Sequence, residues 1–289
     1  MKRRDLLLAT GAAAVGLSAF PLRWVPAADD KKKKILYFTR SAGFEHSVVH
    51  REGNNLSHSE KVLTEMCKRA NIEVVCSKDG RVFDGDLDQF DAIAFYTSGD
   101  LTQPVSGRDE PPMTPNGKKR LLGAIAEGKG FVAFHAANDS FHSQDGRIDP
   151  YIAMLGGEFV THGSQQEATM KVTSPKFPGV QGLGDSFRMM EEWYALNNFA
   201  KDLRVILVQE TAGMKDVCYQ RPPFPATWAR KHHKGRVFYT SLGHREDVWT
   251  GRTFQQIVLG GLAWVLGNVE ADVTPNVAQV TPKADQMKN

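Results

Sequence analysis

The chain has 289 residues, 41% of them hydrophobic and 24% charged, with 36 Lys and Arg against 33 Asp and Glu. That length supplies material for a full core, and the composition excludes a globally disordered chain. Three cysteines are too few for a disulfide scaffold or a four-cysteine zinc site.

Met1–Asp5 is a short basic head containing Arg3 and Arg4, Leu6 to Phe20 carry no charge, and Val25-Pro26-Ala27 forms a small-residue exit. Together they read as an export signal over residues 1–27. The arginine pair before Asp5-Leu6-Leu7 resembles a twin-arginine signal. The alternative is an uncleaved anchor, although the Ala-rich run is short for a membrane span. On either reading the folded part is expected outside the cytoplasm, periplasmic or otherwise exported. Cleavage would leave no stable membrane span. It would also remove Lys2, Arg3, Arg4, Arg23 and Asp5, leaving bases and acids equal in number. The mature chain then gives no electrostatic reason to expect a nucleic-acid partner. The run Lys31–Lys34 reads as a solvated leader to the first strand.

In chain order, Ile35–Phe38 has the apolar run of a buried strand. Helical spacing follows over Leu56–Ala70, then strands at Ile72–Cys76 and Ala92–Tyr96. Pro115–Glu127 suits a helix, with Pro near its start and Gly128 after its end. Gly130–His135 is a fourth apolar strand. Apolar runs separated by helices predict an α/β protein with a parallel sheet covered on both faces, which binds ligands beyond the strands' carboxyl ends. Further strands are predicted at Ala168–Thr173, Arg204–Val208, Ala226–Arg230 and Gly235–Ser241, and a last apolar helix at Phe254–Leu266. The stretch Ser98–Pro115 reads as a loop able to overhang a site, and residues 269–289 as a mobile tail.

His46 lies just past the first strand, His135 ends the fourth, and His244 follows the strand at 235–241; His162 precedes a strand. Asp100 and Asp139 also follow strand ends, and Glu191-Glu192 precede Trp193-Tyr194. The His232-His233 pair reads as an exposed loop, and Trp228 as core.

Gly43-Phe44-x-His46, the strand into His135-Ala136-Ala137, Gly156-Gly157-x-Phe159 with His162, Glu192-Trp193-Tyr194, and Arg236–Thr240 with Gly243-His244 stand in one order along the chain. In these motifs residues 34–268 resemble the ThuA-like (trehalose utilisation) family. The resemblance implies a flavodoxin-like three-layer sandwich like that of class I glutamine amidotransferases, with a mostly parallel sheet. It also implies carbohydrate metabolism, particularly of sugars oxidised to keto-glycosides. The amidotransferase chemistry itself is not expected. Cys67 falls in a predicted helix, Cys76 in a strand and Cys218 in a late loop, so none stands at a strand-to-helix elbow. No G-x-S-x-G elbow occurs either.

Two chemistries remain open for the histidines. One is general acid–base catalysis by His135, His46 and His244. The other is a divalent metal held by His46, His135, His244 and Glu192, dispersed residues that only the fold could bring together. No nucleotide cofactor is expected. Glu192, Trp193 and Tyr194 are the expected sugar platform, aromatic faces stacking on the sugar while the carboxylate takes hydroxyls. Asp139 and Asp100 are further candidates for sugar hydroxyls, Asp139 alternatively for orienting an imidazole or bonding a turn. The expected substrate is a sugar or keto-sugar, cleaved or isomerised; the competing reading is the same pocket as a non-catalytic carbohydrate-binding protein. The sequence leaves the oligomeric state open.

Overall fold

The computed structural model describes residues 32–287; the signal expected over residues 1–27 lies outside them. The chain runs β1 (Lys33–Phe38), α1 (His58–Arg69), β2 (Ile72–Ser77), β3 (Ala92–Phe95), α2 (Pro115–Ala126), β4 (Gly130–Phe134), α3 (Pro150–Leu155), β5 (Glu158–His162), β6 (Gln166–Val172), β7 (Ser186–Glu191), β8 (Tyr194–Asn197), β9 (Arg204–Glu210), β10 (Phe224–His232), β11 (Gly235–Thr240), α4 (Glu246–Thr250), α5 (Arg252–Val265) and α6 (Val277–Val280). Nine strands form one sheet in the order β2-β1-β3-β4-β11-β10-β9-β6-β7, and β5 pairs with β8 separately.

The β2-β1-β3-β4-β11 portion is parallel throughout. This is the 2-1-3-4-5 order of a doubly wound flavodoxin-like sheet, with β11 in the fifth place. Beyond it every pairing is antiparallel, so the sheet is parallel at its core and mixed overall. The expectation of a mostly parallel sheet holds for the core alone. Among the added strands, β6–β7, β9–β10 and β10–β11 are consecutive in the chain, the last joined by the tight turn at His233-Lys234, and such consecutive pairs run antiparallel.

Alternation along β1 places helices on both faces. The Tyr37 hydroxyl bonds Ser59 of α1 and its ring meets Trp249 of α4, whereas the neighbouring Phe38 ring lies 4.9 Å edge-on to Phe83 on the other side. On β4 the same alternation sends Phe131 to Tyr151 of α3 and Phe134 to Trp249 and Phe254. The result is a three-layer arrangement around the parallel core. α5 approaches that core closely because Gly261 lacks a side chain; a Cβ there would stand 2.7 Å from the Phe238 ring.

The helix starts are written locally. Ser57 and Glu60 form a reciprocal capping box on α1, and Thr114 caps α2 ahead of Pro115. The loop between β3 and α2 is tied down by the buried Arg40, whose guanidinium donates to the carbonyls of Leu101, Gln103 and Glu110. From that loop Arg108 donates to the Ser41 carbonyl, against the segment leading to His46.

The segment expected to be a mobile tail is bonded to the body as far as Asp285, which accepts from the Phe199 amide. Asn276, just before α6, binds β9 through its side chain, which accepts from the Val205 amide at 2.7 Å and donates to the Val205 carbonyl at 3.1 Å. Arg221 donates to the Ala284 carbonyl, and Val277, Thr281 and Ala284 are buried. Few large apolar residues sufficed here, because the tail satisfies backbone groups that β6 leaves unpaired on β9. Among the described residues no helix is long and apolar enough to cross a membrane.

Candidate functional site

β1, β4 and β11 run parallel, so their carboxyl ends open on the same edge of the sheet. His46 lies eight residues past the end of β1, at the start of the 3-10 turn Ser47–Val49. His135 is the first residue after β4 and takes a left-handed backbone, φ 40°. His244 follows β11 through Gly243, φ 118°. The three rings converge with centroids 5.0, 5.2 and 5.3 Å apart, each pair edge-on.

Glu192 enters from the β7–β8 connection. Its Oε2 stands 3.0 Å from His244 Nδ1, 3.4 Å from His135 Nε2 and 3.9 Å from His46 Nε2. Its other oxygen, Oε1, is 3.4 Å from His162 Nδ1 on the half-exposed side. The sequence shows no strand signal in front of His162, because β5, which delivers it, carries mixed polar and apolar residues rather than an apolar run.

The surroundings orient each ring. His135 Nδ1 donates to the Ser241 carbonyl at 2.7 Å, leaving Nε2 as a bare lone pair aimed at Glu192. Its backbone carbonyl accepts from the Tyr239 hydroxyl at 2.9 Å, which helps hold the unusual φ. Gly243 is clamped from three sides: its N–H donates to Glu191, and its carbonyl accepts from Tyr96 and Trp249. The fully buried Glu191 also accepts the Glu192 amide, so one carboxyl positions both Glu192 and His244. Burial pushes that carboxyl up to about 7. Gln165 Oε1 accepts from Arg245 and its amide nitrogen lies 2.9 Å from His244 Nε2, so His244 turns Nδ1 toward Glu192.

Burial, then the neighbouring His135 and His244, push the His46 imidazole down to about 2. Burial likewise lowers His135, so both are neutral at physiological pH. Burial opposes charge on Glu192 too, but positive charge on the side of His135 and His244 draws its carboxyl well below the usual carboxylate range. A bare imidazole lone pair and a carboxylate oxygen 3.4 Å apart repel unless a cation lies between them. His135 Nε2, His244 Nδ1 and His46 Nδ1 are buried and have no hydrogen-bond partner. Donor atoms of His46, His135, Glu192 and His244 all lie within 4.8 Å of one another. Tetrahedral zinc, with bonds of about 2.0–2.1 Å, needs its donors roughly 3.4 Å apart. His135 also donates its second nitrogen to a backbone carbonyl, the outer-shell bond that metal-ligating imidazoles make. The residues fit a divalent cation.

The remaining candidates fall elsewhere. Trp193 is 0% exposed and its indole N–H donates to the Gln166 carbonyl, so it is core and cannot stack on a sugar. Tyr194 is also buried; its ring packs 4.0 Å from His135 and its hydroxyl lies 3.2 Å from His46 Nε2, making it a wall of the centre rather than an open platform. Asp139 accepts from His142 Nε2 at 2.6 Å and does not orient His135. Asp100 bonds its own turn through Thr102 and Gln103. It lines a cavity of about 650 Å³ with Lys118 and His142, apart from the three imidazoles. Trp228 is core, as expected. Cys67 lies in α1, Cys76 in β2 and Cys218 in the turn Val217–Tyr219; burial raises all three thiols, the reverse of nucleophile activation.

A ThuA-like protein from Bacteroides uniformis superposes with a TM-score of 0.63 at 18% identity, covering 86% of this chain and 95% of that one. A second, from Parabacteroides merdae, gives 0.58 at 16%, covering 84% and 92%. A cytoplasmic protein of Salmonella typhimurium gives 0.52 at 11%, covering 80% and 98%. At such identities the likeness shows the fold alone. No curated protein matches the chain. The family described as ThuA, trehalose utilisation, matches residues 34–265, most of the sequence, and the chain belongs to that family.

Proposed function

We propose that the protein acts on a keto-glycoside, cleaving or isomerising it at a divalent-metal centre held by His46, His135, His244 and Glu192. The observation that carries this reading is the buried lone pair of His135 Nε2 set against the ionised Glu192, a pair that calls for a cation. A divalent cation there would supply Lewis-acid stabilisation of a ketone oxygen as it gains charge.

The chain's own residues divide the remaining work. In a 3-keto-glycoside the ketone acidifies the C2 proton. His46 and His135 are turned inward, so the base role expected of them passes to His162. The His162 Nδ1 donates to the Gly163 carbonyl, which leaves Nε2 free to accept that proton. The electron pair left at C2 delocalises onto the ketone oxygen. It can then form a C1–C2 double bond as the C1–oxygen bond breaks and the leaving oxygen takes the proton held by His162, or that proton can return at C3 while the 2-hydroxyl gives up its own and becomes the new carbonyl. The first path is cleavage and the second isomerisation. Tyr194, kept a neutral phenol by burial, can donate a hydrogen bond at the His46 side of the centre. The N-terminal segment supports an exported location, which a reporter fusion to residues 1–31 would test.

The reading is tested by metal analysis of the purified protein and by incubation with 3-keto-trehalose and 3-keto-glucosides, with and without zinc or manganese. The expected outcome is one bound metal per chain, turnover lost on chelation, and a melting temperature raised by about 5–10 °C at 100-fold saturation. No bound metal and no turnover under any condition would overturn it.

A further inference from the structure

We infer that Phe44 is the platform on which a pyranose ring stacks at the mouth of the His–Glu centre; this rests on the sugar reading above. Phe44 is the aromatic residue among the large apolar side chains left exposed in the described chain, at 69%. A single exposed phenylalanine is unremarkable by itself. This one stands edge-on to the His46 ring, centroids 4.9 Å apart, so it borders the centre directly.

Its exposure is not that of a loose loop. The Phe44 carbonyl accepts from Ser98 Oγ at 2.6 Å, and the amides of Ala42 and Gly43 donate to the Ser98 carbonyl. On the other side Glu45 is held by Lys78 Nζ at 2.7 Å and by His50 Nδ1 at 3.0 Å. A ring on a backbone anchored on both sides loses little further freedom when a ligand settles on it, which favours binding.

The chemistry around the ring selects the ligand class. A phenylalanine face recognises an apolar surface and offers no hydrogen bond. His162, on the half-exposed side of the same centre, touches the outer oxygen of Glu192, so the centre that Phe44 borders also offers polar partners. A pyranose matches this combination, with C–H bonds on one face and hydroxyls around the edge. Trp193 and Tyr194 are buried and cannot offer such a face.

The test uses the full protein with trehalose and methyl α-glucoside as unreactive probes, followed by calorimetry, and with zinc titrated separately. Phe44→Ala is expected to weaken sugar binding by about tenfold while zinc affinity and melting temperature stay at the native values. Phe44→Trp is expected to keep sugar binding, and Phe44→Leu to lose most of it. Equal sugar binding by Phe44→Ala and the native protein would overturn the platform and leave the sugar reading standing. Absence of sugar binding by the native protein, with or without zinc, would overturn both. Loss of zinc by Phe44→Ala would mean the ring only supports His46. Loss of self-association in sedimentation, with sugar binding intact, would mean Phe44 meets a second copy. Either result overturns the proposal.

Discussion

His135 shows how much one residue of this centre is asked to do. Its backbone takes a left-handed φ of 40°, its Nδ1 donates to Ser241, and its Nε2 faces Glu192. Asparagine tolerates left-handed backbone better than most residues but cannot place a lone pair where Nε2 stands. His135→Asn is therefore expected to keep the fold while weakening zinc by more than about 100-fold, since loss of an outer-shell partner alone costs about 10–100-fold. Thermal unfolding of the metal-free variant and zinc titration check the two halves separately. At this scale His46, His135 and His244 were legible because each lies just past a strand. Trp193 was not, because an aromatic beside a carboxylate reads alike whether it faces solvent or core; its N–H found the Gln166 carbonyl instead.

At the scale of elements, α1 ties local signals to tertiary contacts. Ser57 and Glu60 close the capping box, and the fully buried Glu60 carboxylate also binds Arg51 at 2.7 and 2.8 Å and Thr39 at 2.7 Å. Ser57→Ala is expected to cost about 1 kcal/mol. Glu60→Ala should cost about 3 kcal/mol, because it strips Arg51 and Thr39 of their partner together with the cap. Burial would raise the Glu60 pKa, but the bonds from Arg51, Thr39 and the Ser57 amide bring it below the usual carboxylate value. A depressed pKa means the stabilisation is fully present above the unfolded value, near pH 4.5, and is lost as pH falls through the folded one. Denaturant unfolding between pH 7 and 3 should thus show the gap between native and Glu60→Gln narrowing towards acid. Strands β5, β7 and β8 escaped the sequence reading. The exposed edge strand β7 mixes polar and apolar residues, and β8 has only four residues, so neither shows the continuous apolar run of a buried strand.

For the whole molecule, the docked C-terminal segment joins the antiparallel half through Asn276. Asn276→Ala removes the partner of the Val205 amide on β9, while the Val205 carbonyl keeps the Thr173 and Ser174 hydroxyls, and is expected to cost about 1–2 kcal/mol, a fall of roughly 2–8 °C in melting temperature. Hydrogen exchange should show the Val205 amide losing protection, with β1 and β4 unaffected. The sequence suggested a free tail because it has few large apolar side chains; docking instead rests on hydrogen bonds to a strand edge far away in sequence.

By itself the sequence determined the parallel core, the main helices, the placement of the three cysteines away from a strand-to-helix elbow and three histidines at strand ends. These follow from short-range periodicity and from which residues stand next to a strand. Only the tertiary structure decided that Glu192 crosses from the antiparallel half to meet them, that His162 takes its outer oxygen, that Trp193 and Tyr194 turn inward, and that Phe44 remains outside. Those placements depend on strand order and on bonds between residues far apart in the chain, such as Glu191 with Gly243, which leave no local pattern to read.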